Sequence, residues 1–86
     1  MLTIKVLGPG CANCQRVEEH AVKALEALSQ EMPDLEATVL HVTAMDQIMQ
    51  YPILATPGLV INEKLVCGGR IPTVAEVQGW LHEALA

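Results

Sequence analysis

The feature that most constrains the fold is a short strand pattern, a glycine-proline break and a long helix pattern in the first third of the chain. Leu2–Leu7 is apolar and β-branched, and Gly8-Pro9-Gly10 interrupts it. From about Ala12 to Glu31, apolar residues recur every three or four positions, at Val17, Ala21, Ala24, Leu25, Leu28 and Met32. A second strand is predicted over Leu35–Val42, after a crossover long enough for the two strands to pair in parallel.

The remaining patterns add a short helix, a hairpin and a final helix. Thr43–Asp46 resembles a capping box that opens a helix to about Gln50, and Thr73–Glu76 is a second capping box. Between them we predict a strand at Gly58–Ile61, a turn at Asn62-Glu63-Lys64 and a returning strand at Leu65–Cys67. The last helix carries an apolar stripe of Val74, Val77, Trp80, Leu81, Ala84 and Leu85. The order β-α-β-α-β-β-α predicts an α/β three-layer sandwich with a four-stranded mixed sheet, in a single domain over residues 1–86.

Composition excludes several classes of protein. Of the 86 residues, 51% are hydrophobic and 17% charged, which is incompatible with intrinsic disorder. The formal charge is −5, the five Lys and Arg residues are scattered and only 2% of residues are aromatic, so nucleic acid is not an expected partner. No apolar run approaches the roughly 18–20 residues of a membrane helix, and the start of the chain lacks a signal-peptide pattern. We therefore expect a cytoplasmic protein with no membrane association.

The three cysteines divide into a close pair, Cys11 and Cys14, and the distant Cys67. An odd count argues against a secreted framework of bridges, and a Cys-x-x-Cys pair indicates redox or metal chemistry. Cys11 falls at the predicted start of the long helix, where unpaired amides and the helix dipole stabilise a thiolate. Cys14, one turn further on, is within disulfide reach. Cys11 is thus the candidate attacking thiol and Cys14 the more buried resolving thiol.

Thr56-Pro57 precedes the third predicted strand. If that strand pairs antiparallel with the first, its start lies at the same end of the sheet as Cys11. An X-Pro bond is the usual location of a cis peptide, and proline cannot donate to a strand ladder. We therefore expect Thr56-Pro57 to face the cysteine pair.

Three segments together resemble the thioredoxin superfamily, in particular its small thioredoxin/glutaredoxin-like redox-active disulfide proteins. They are G-C-A-N-C at 10–14, A-T-P-G-L-V-I-N at 55–62 and C-G-G-R-I-P at 67–72. The resemblance implies a thiol–disulfide oxidoreductase that acts on a disulfide-containing protein or a small thiol substrate and receives electrons from a reductase or another dithiol donor. No cofactor is expected.

The same resemblance assigns roles to individual residues. Cys11 matches the nucleophile, Cys14 the resolving cysteine and Pro57 the cis-proline. The backbone of Thr56 is expected to pair with substrate, and Gly69 matches a glycine that lets substrate approach. The chain departs from thioredoxins proper in having Gly10 in place of their tryptophan, Ala12-Asn13 in place of Gly-Pro, and Lys5 as the only charge of the first strand.

The main alternative is a protein that binds a thiophilic metal or metalloid through Cys11 and Cys14, with or without Cys67 as a third ligand. A closed zinc site needs four ligands and the chain has no second cysteine pair, so no metal is assigned. A module that senses redox state and binds a partner is a further alternative. Cys67 is a candidate accessory thiol, although a strand cysteine is more often a small buried residue. The remaining candidates are interpreted as structural: His20, His41, His82 and Trp80, with Met45 and Met49 in the core.

Overall fold

The structure is a computed structural model that describes residues 2–8, 12–53 and 55–85. Its strands are β1 (Leu2–Leu7), β2 (Ala37–Val42), β3 (Gly58–Ile61) and β4 (Lys64–Gly68), and its helices are α1 (Ala12–Glu31), α2 (Met45–Ile48) and α3 (Val74–Leu85). The strands form one sheet in the order β2-β1-β3-β4. The β1–β2 pair is parallel and the other two pairs are antiparallel, which confirms the predicted mixed sheet.

The main core lies between the sheet and the helices α1 and α3. Leu2, Ile4 and Val6 alternate along β1 and are fully buried on this face. Helix α1 packs against them with its buried stripe, and α3 contributes Val77 and Leu81. This burial of aliphatic side chains is the main stabilising contribution in a chain so poor in aromatic residues.

A smaller cluster covers the other face of the sheet. Ile48 of α2 packs against Leu7 and Val60, with Tyr51 and Ile53 around them. All four residues of β3 are buried because β3 is a central strand with side chains packed on both faces. The two clusters make the three layers that the element order predicted.

The β3–β4 turn is joined to β1. Asn62 and Glu63 have φ values of 50° and 67°, in the left-handed region that a two-residue hairpin turn requires. The Asn62 side chain accepts a hydrogen bond from the Thr3 amide at 3.0 Å. Beside it, Lys5 pairs with Glu63 and donates to the Tyr51 hydroxyl at 3.0 Å. These hydrogen bonds raise the pKa of Lys5, with Glu63 the larger cause, and Lys5 lowers the pKa of Glu63.

Several predicted boundaries need correction. Strand β2 begins at Ala37 rather than Leu35, because its pairing with β1 begins at Leu2. Helix α2 ends at Ile48 rather than at about Gln50. Its N-cap is Ala44, with no side-chain hydrogen bond, so the prediction of a capping box at Thr43 was wrong. The Ala44 carbonyl already accepts the first helical hydrogen bonds, which leaves Thr43 one position too early to cap the helix.

The other end of the chain follows the prediction more closely. The capping box of α3 is confirmed, since the Thr73 hydroxyl accepts from the Glu76 amide and the Glu76 carboxylate accepts from the Thr73 amide, both at 3.1 Å. Strand β4 is longer than predicted and includes Lys64 and Gly68. At the end of α1, Met32 lies after the helix and is exposed instead of continuing its buried stripe. None of the described helices is long and apolar enough to cross a membrane.

Candidate functional site

The candidate site is at the end of the sheet where β1 finishes and β3 starts. Leu7 pairs with Val42 of β2 on one side and with Gly58 of β3 on the other. The Gly8 amide extends this ladder by donating to the Val42 carbonyl at 3.0 Å. The predicted nucleophile Cys11 lies outside the described residues, together with Pro9 and Gly10. Cys14 lies in the first turn of α1 and is fully buried.

Gly8 connects the predicted resolving cysteine with the predicted substrate segment. A Cβ atom placed on Gly8 would overlap the Cys14 Sγ atom, so this sulfur occupies the space that a side chain at position 8 would take. The same Cβ position is 4.0 Å from the Cβ atom of Thr56. The tertiary structure therefore brings Cys14 and Thr56, 42 positions apart in the sequence, to the same side of one glycine.

The predicted substrate residues Thr56, Pro57 and Gly69 are neighbours. The Thr56–Pro57 peptide bond is cis, Pro57 is buried and Thr56 is half-buried. The Gly69 amide donates to the Pro57 carbonyl at 2.9 Å. Gly69 has a φ of 80°, which favours glycine, and a Cβ atom there would lie 3.4 Å from the Cβ of Ala55. This glycine follows β4 directly and supports the segment that carries Thr56.

The loop after Gly69 is held by three side chains. Arg70 forms a bidentate ion pair with the Glu76 carboxylate, at 3.0 and 2.6 Å. This pair is the main reason that the pKa of Glu76 falls to about 2. The His20 Nδ1 atom donates to the Pro72 carbonyl at 2.7 Å, which ties α1 to the loop. The sequence favoured a structural role for His20 but gave no signal for this bond, because its partner is 52 positions away.

Cys67 lies in the main core, with 7% of its surface exposed. Its thiol donates to the Arg70 carbonyl at 3.7 Å. Burial is the main cause that raises the pKa of Cys67, so the protonated thiol is favoured at neutral pH. Among the described residues, no group of three or more His, Cys, Asp and Glu side chains is arranged to hold a metal ion.

The prediction that Met45 and Met49 lie in the core was wrong. They are 60% and 74% exposed. Only Ile48 of this short helix points inward, because a four-residue helix can bury one position against the sheet. Met45 and Ile48 of α2, Met49 directly after it, and Ile53, Ala55 and Thr56 line an open groove, which we call the methionine groove. Thr56, which lines this groove, is also a neighbour of the space at Gly8 that the Cys14 sulfur fills.

Comparison with known proteins agrees with this arrangement. Residues 2–82 match the family model for the thioredoxin domain. The chain belongs to the thioredoxin family. It is 33% identical over 78 residues to a thioredoxin of Methanothermobacter thermautotrophicus, an alignment that covers 91% of this chain and 95% of that protein. It is also 31% identical over 85 residues to a thioredoxin of Methanocaldococcus jannaschii, with 99% and 92% covered. Membership identifies the chain as a thioredoxin-type redox protein, in a family of disulfide oxidoreductases.

Proposed function

We propose that this protein reduces disulfide bonds in other proteins, with Cys11 as the attacking thiolate and Cys14 as the resolving thiol. The observation that carries the proposal is the packing of the Cys14 sulfur against Gly8, on the side where Thr56 lies. A resolving cysteine needs this combination of burial and proximity to the substrate segment. It must be shielded from external disulfides and still lie beside the one being reduced.

The chemistry consists of two exchanges. The Cys11 thiolate attacks one substrate sulfur, so that a mixed disulfide forms and the other substrate sulfur leaves as a thiolate and takes up a proton. Cys14 then loses its proton and attacks the Cys11 sulfur, which releases the second substrate thiol and leaves a Cys11–Cys14 disulfide. Two electrons and two protons have moved to the substrate. An external dithiol donor, such as a reductase, restores the pair, as in a reducing compartment like the cytoplasm.

Helix α1 supports the first exchange. Cys11 directly precedes Ala12, where this 20-residue helix begins. Unpaired amides and the positive end of the helix dipole lie at such a position and stabilise a thiolate. The first turn contains no acidic residue that would oppose this effect.

Thr56, Pro57 and Gly69 support binding of a polypeptide substrate. Thr56 is half-buried, and Gly69 is exposed and has no side chain to block an approaching segment. We assign Cys67 a packing role, because its thiol is buried in the core and donates to a backbone carbonyl.

Trapping of the mixed disulfide tests the proposal. With dithiothreitol as donor, the wild-type protein should reduce insulin. Cys14→Ser, reduced first and then freed of dithiothreitol, should accumulate a one-to-one mixed disulfide with a protein substrate, detected by non-reducing electrophoresis and mass spectrometry. The reason is that serine cannot complete the second exchange. Cys67→Ser is the matched control and should turn over insulin at the wild-type rate. Lack of reduction of both protein and small disulfides by the wild type would contradict the proposal.

We infer that substrates present an apolar segment beside their disulfide, and the methionine groove supports this inference. Methionine side chains adapt their shape to varied apolar partners, and this groove is continuous with Thr56. Replacing both Met45 and Met49 by glutamine keeps their length and removes most of their apolar surface. We expect KM for insulin to rise several-fold, roughly three- to tenfold, for the loss of partial burial of two side chains.

The same double variant should reduce a small aromatic disulfide at the wild-type rate, because such a substrate does not extend along the groove. Met32→Gln is the control, since Met32 is also exposed but follows the opposite end of α1. Equal rises in KM for insulin and for the small disulfide would contradict a role of the groove in binding polypeptide.

A further inference from the structure

Neighbouring atoms leave no room for a side chain at Gly8. It is buried, and its φ lies outside the left-handed region, so backbone conformation is not what requires a glycine here. Its amide donates to the Val42 carbonyl at 3.0 Å, which ties this backbone position to β2. Gly69, by contrast, is constrained by its positive φ.

The side chain of Cys14 fills the space at Gly8. Besides the overlap with Sγ, a Cβ atom on Gly8 would lie 3.3 Å from the Cys14 Cβ atom, tighter than an ordinary van der Waals contact. The next neighbour is Thr56, at 4.0 Å. Cys14 is fully buried, so its sulfur has little room to turn elsewhere.

We propose that Gly8 is a positioning residue: its missing side chain leaves the space in which the Cys14 sulfur takes the orientation that resolves the mixed disulfide. This inference rests on the proposed function, since it concerns the second of the two exchanges. In that step the Cys14 thiolate forms a bond to the Cys11 sulfur, the bond from Cys11 to substrate breaks, and the departing substrate thiolate is protonated. The three sulfurs must be nearly collinear, so a displaced Cys14 slows this step and leaves the first exchange unaffected.

The test is Gly8→Ala, followed under single-turnover conditions with a protein disulfide. The new methyl group displaces the Cys14 sulfur, and we expect the lifetime of the mixed disulfide to rise roughly ten- to hundredfold, as for an overpacked site. The rate at which the mixed disulfide forms should stay within about twofold of wild type, because Cys11 performs that step alone. Gly79→Ala is the control, since a Cβ atom at that exposed position has no neighbour within 4 Å.

A double-mutant cycle on stability shows whether Gly8 acts through the sulfur. Gly8→Ala should raise the unfolding equilibrium constant in the wild-type background. In a Cys14→Ala background, the fold-increase caused by Gly8→Ala should be roughly ten times smaller. An undiminished effect would overturn the inference, because the alanine would then clash with something other than the thiol.

Different outcomes contradict the role of Gly8 and the proposed disulfide reduction. If Cys14→Ser traps a mixed disulfide but Gly8→Ala resolves it as fast as wild type, the role of Gly8 is overturned and the proposed function stands. If neither the wild type nor Cys14→Ser forms a mixed disulfide with any disulfide substrate, the proposed function itself is overturned, and the role of Gly8 with it.

Discussion

Replacement of Cys11 by serine is expected to abolish dithiothreitol-driven insulin reduction, to the rate of dithiothreitol alone. The thiolate is the attacking group in disulfide exchange, and a serine hydroxyl is neither ionised at neutral pH nor able to form a disulfide. Cys14 cannot substitute for Cys11, because it is fully buried in the first turn of α1. The measurement is the rate of insulin precipitation, with and without the protein.

Cys67→Ser provides the comparison for this loss. It makes the same change of sulfur to oxygen at a buried position in the main core, so any general effect of removing a thiol appears in both variants. Substantial insulin reduction by Cys11→Ser, or an equal loss in Cys67→Ser, would contradict the assignment of Cys11 as nucleophile.

The largest effect on stability is expected for Leu59→Ala. Leu59 is fully buried on the central strand β3, where it pairs with Val6 and Cys67. Truncation of such a leucine costs about 2–5 kcal/mol, from lost burial and from the cavity that remains. For a domain of this size each kcal/mol lowers Tm by about 4–8 °C, so thermal unfolding followed by circular dichroism should shift by roughly ten degrees or more.

Leu40→Ala is the matched control for Leu59→Ala. Leu40 is also a strand leucine, but it lies on the edge strand β2 and is 46% exposed. A surface substitution of this kind changes stability by about 0.5 kcal/mol or less. Similar Tm shifts for the two variants would contradict the placement of Leu59 in the central core.

The sequence predicted the element order because its local patterns agree with the tertiary structure. The alternation in Leu2–Leu7, the helical stripe of α1 and the Thr73 capping box all depend on neighbours within a few positions. Prediction failed where distant neighbours decide. Leu35 lies outside β2 because β1 offers pairing only from Ala37 onwards, and Met45 is exposed because α2 is too short to bury it.

The candidate residues for disulfide chemistry could be predicted from local patterns in the chain. The Cys11-x-x-Cys14 spacing at a helix start, the Thr56-Pro57 dipeptide and the Gly68-Gly69 pair are local, and each could be interpreted from the chain alone. Spacing along a helix fixes which side chains share a face, so a cysteine pair three positions apart already indicates a dithiol.

The arrangement of these residues in space became visible in the folded chain alone. Cys14 and Thr56 both lie near the space beside Gly8, at the end of the sheet where β1 finishes and β3 starts. No local pattern marks Gly8 as different from an ordinary glycine before a turn, since its requirement comes from packing with residues distant in the chain. Packing density depends on residues that are close in space rather than in sequence. In the sequence, this requirement is visible only as a glycine at position 8.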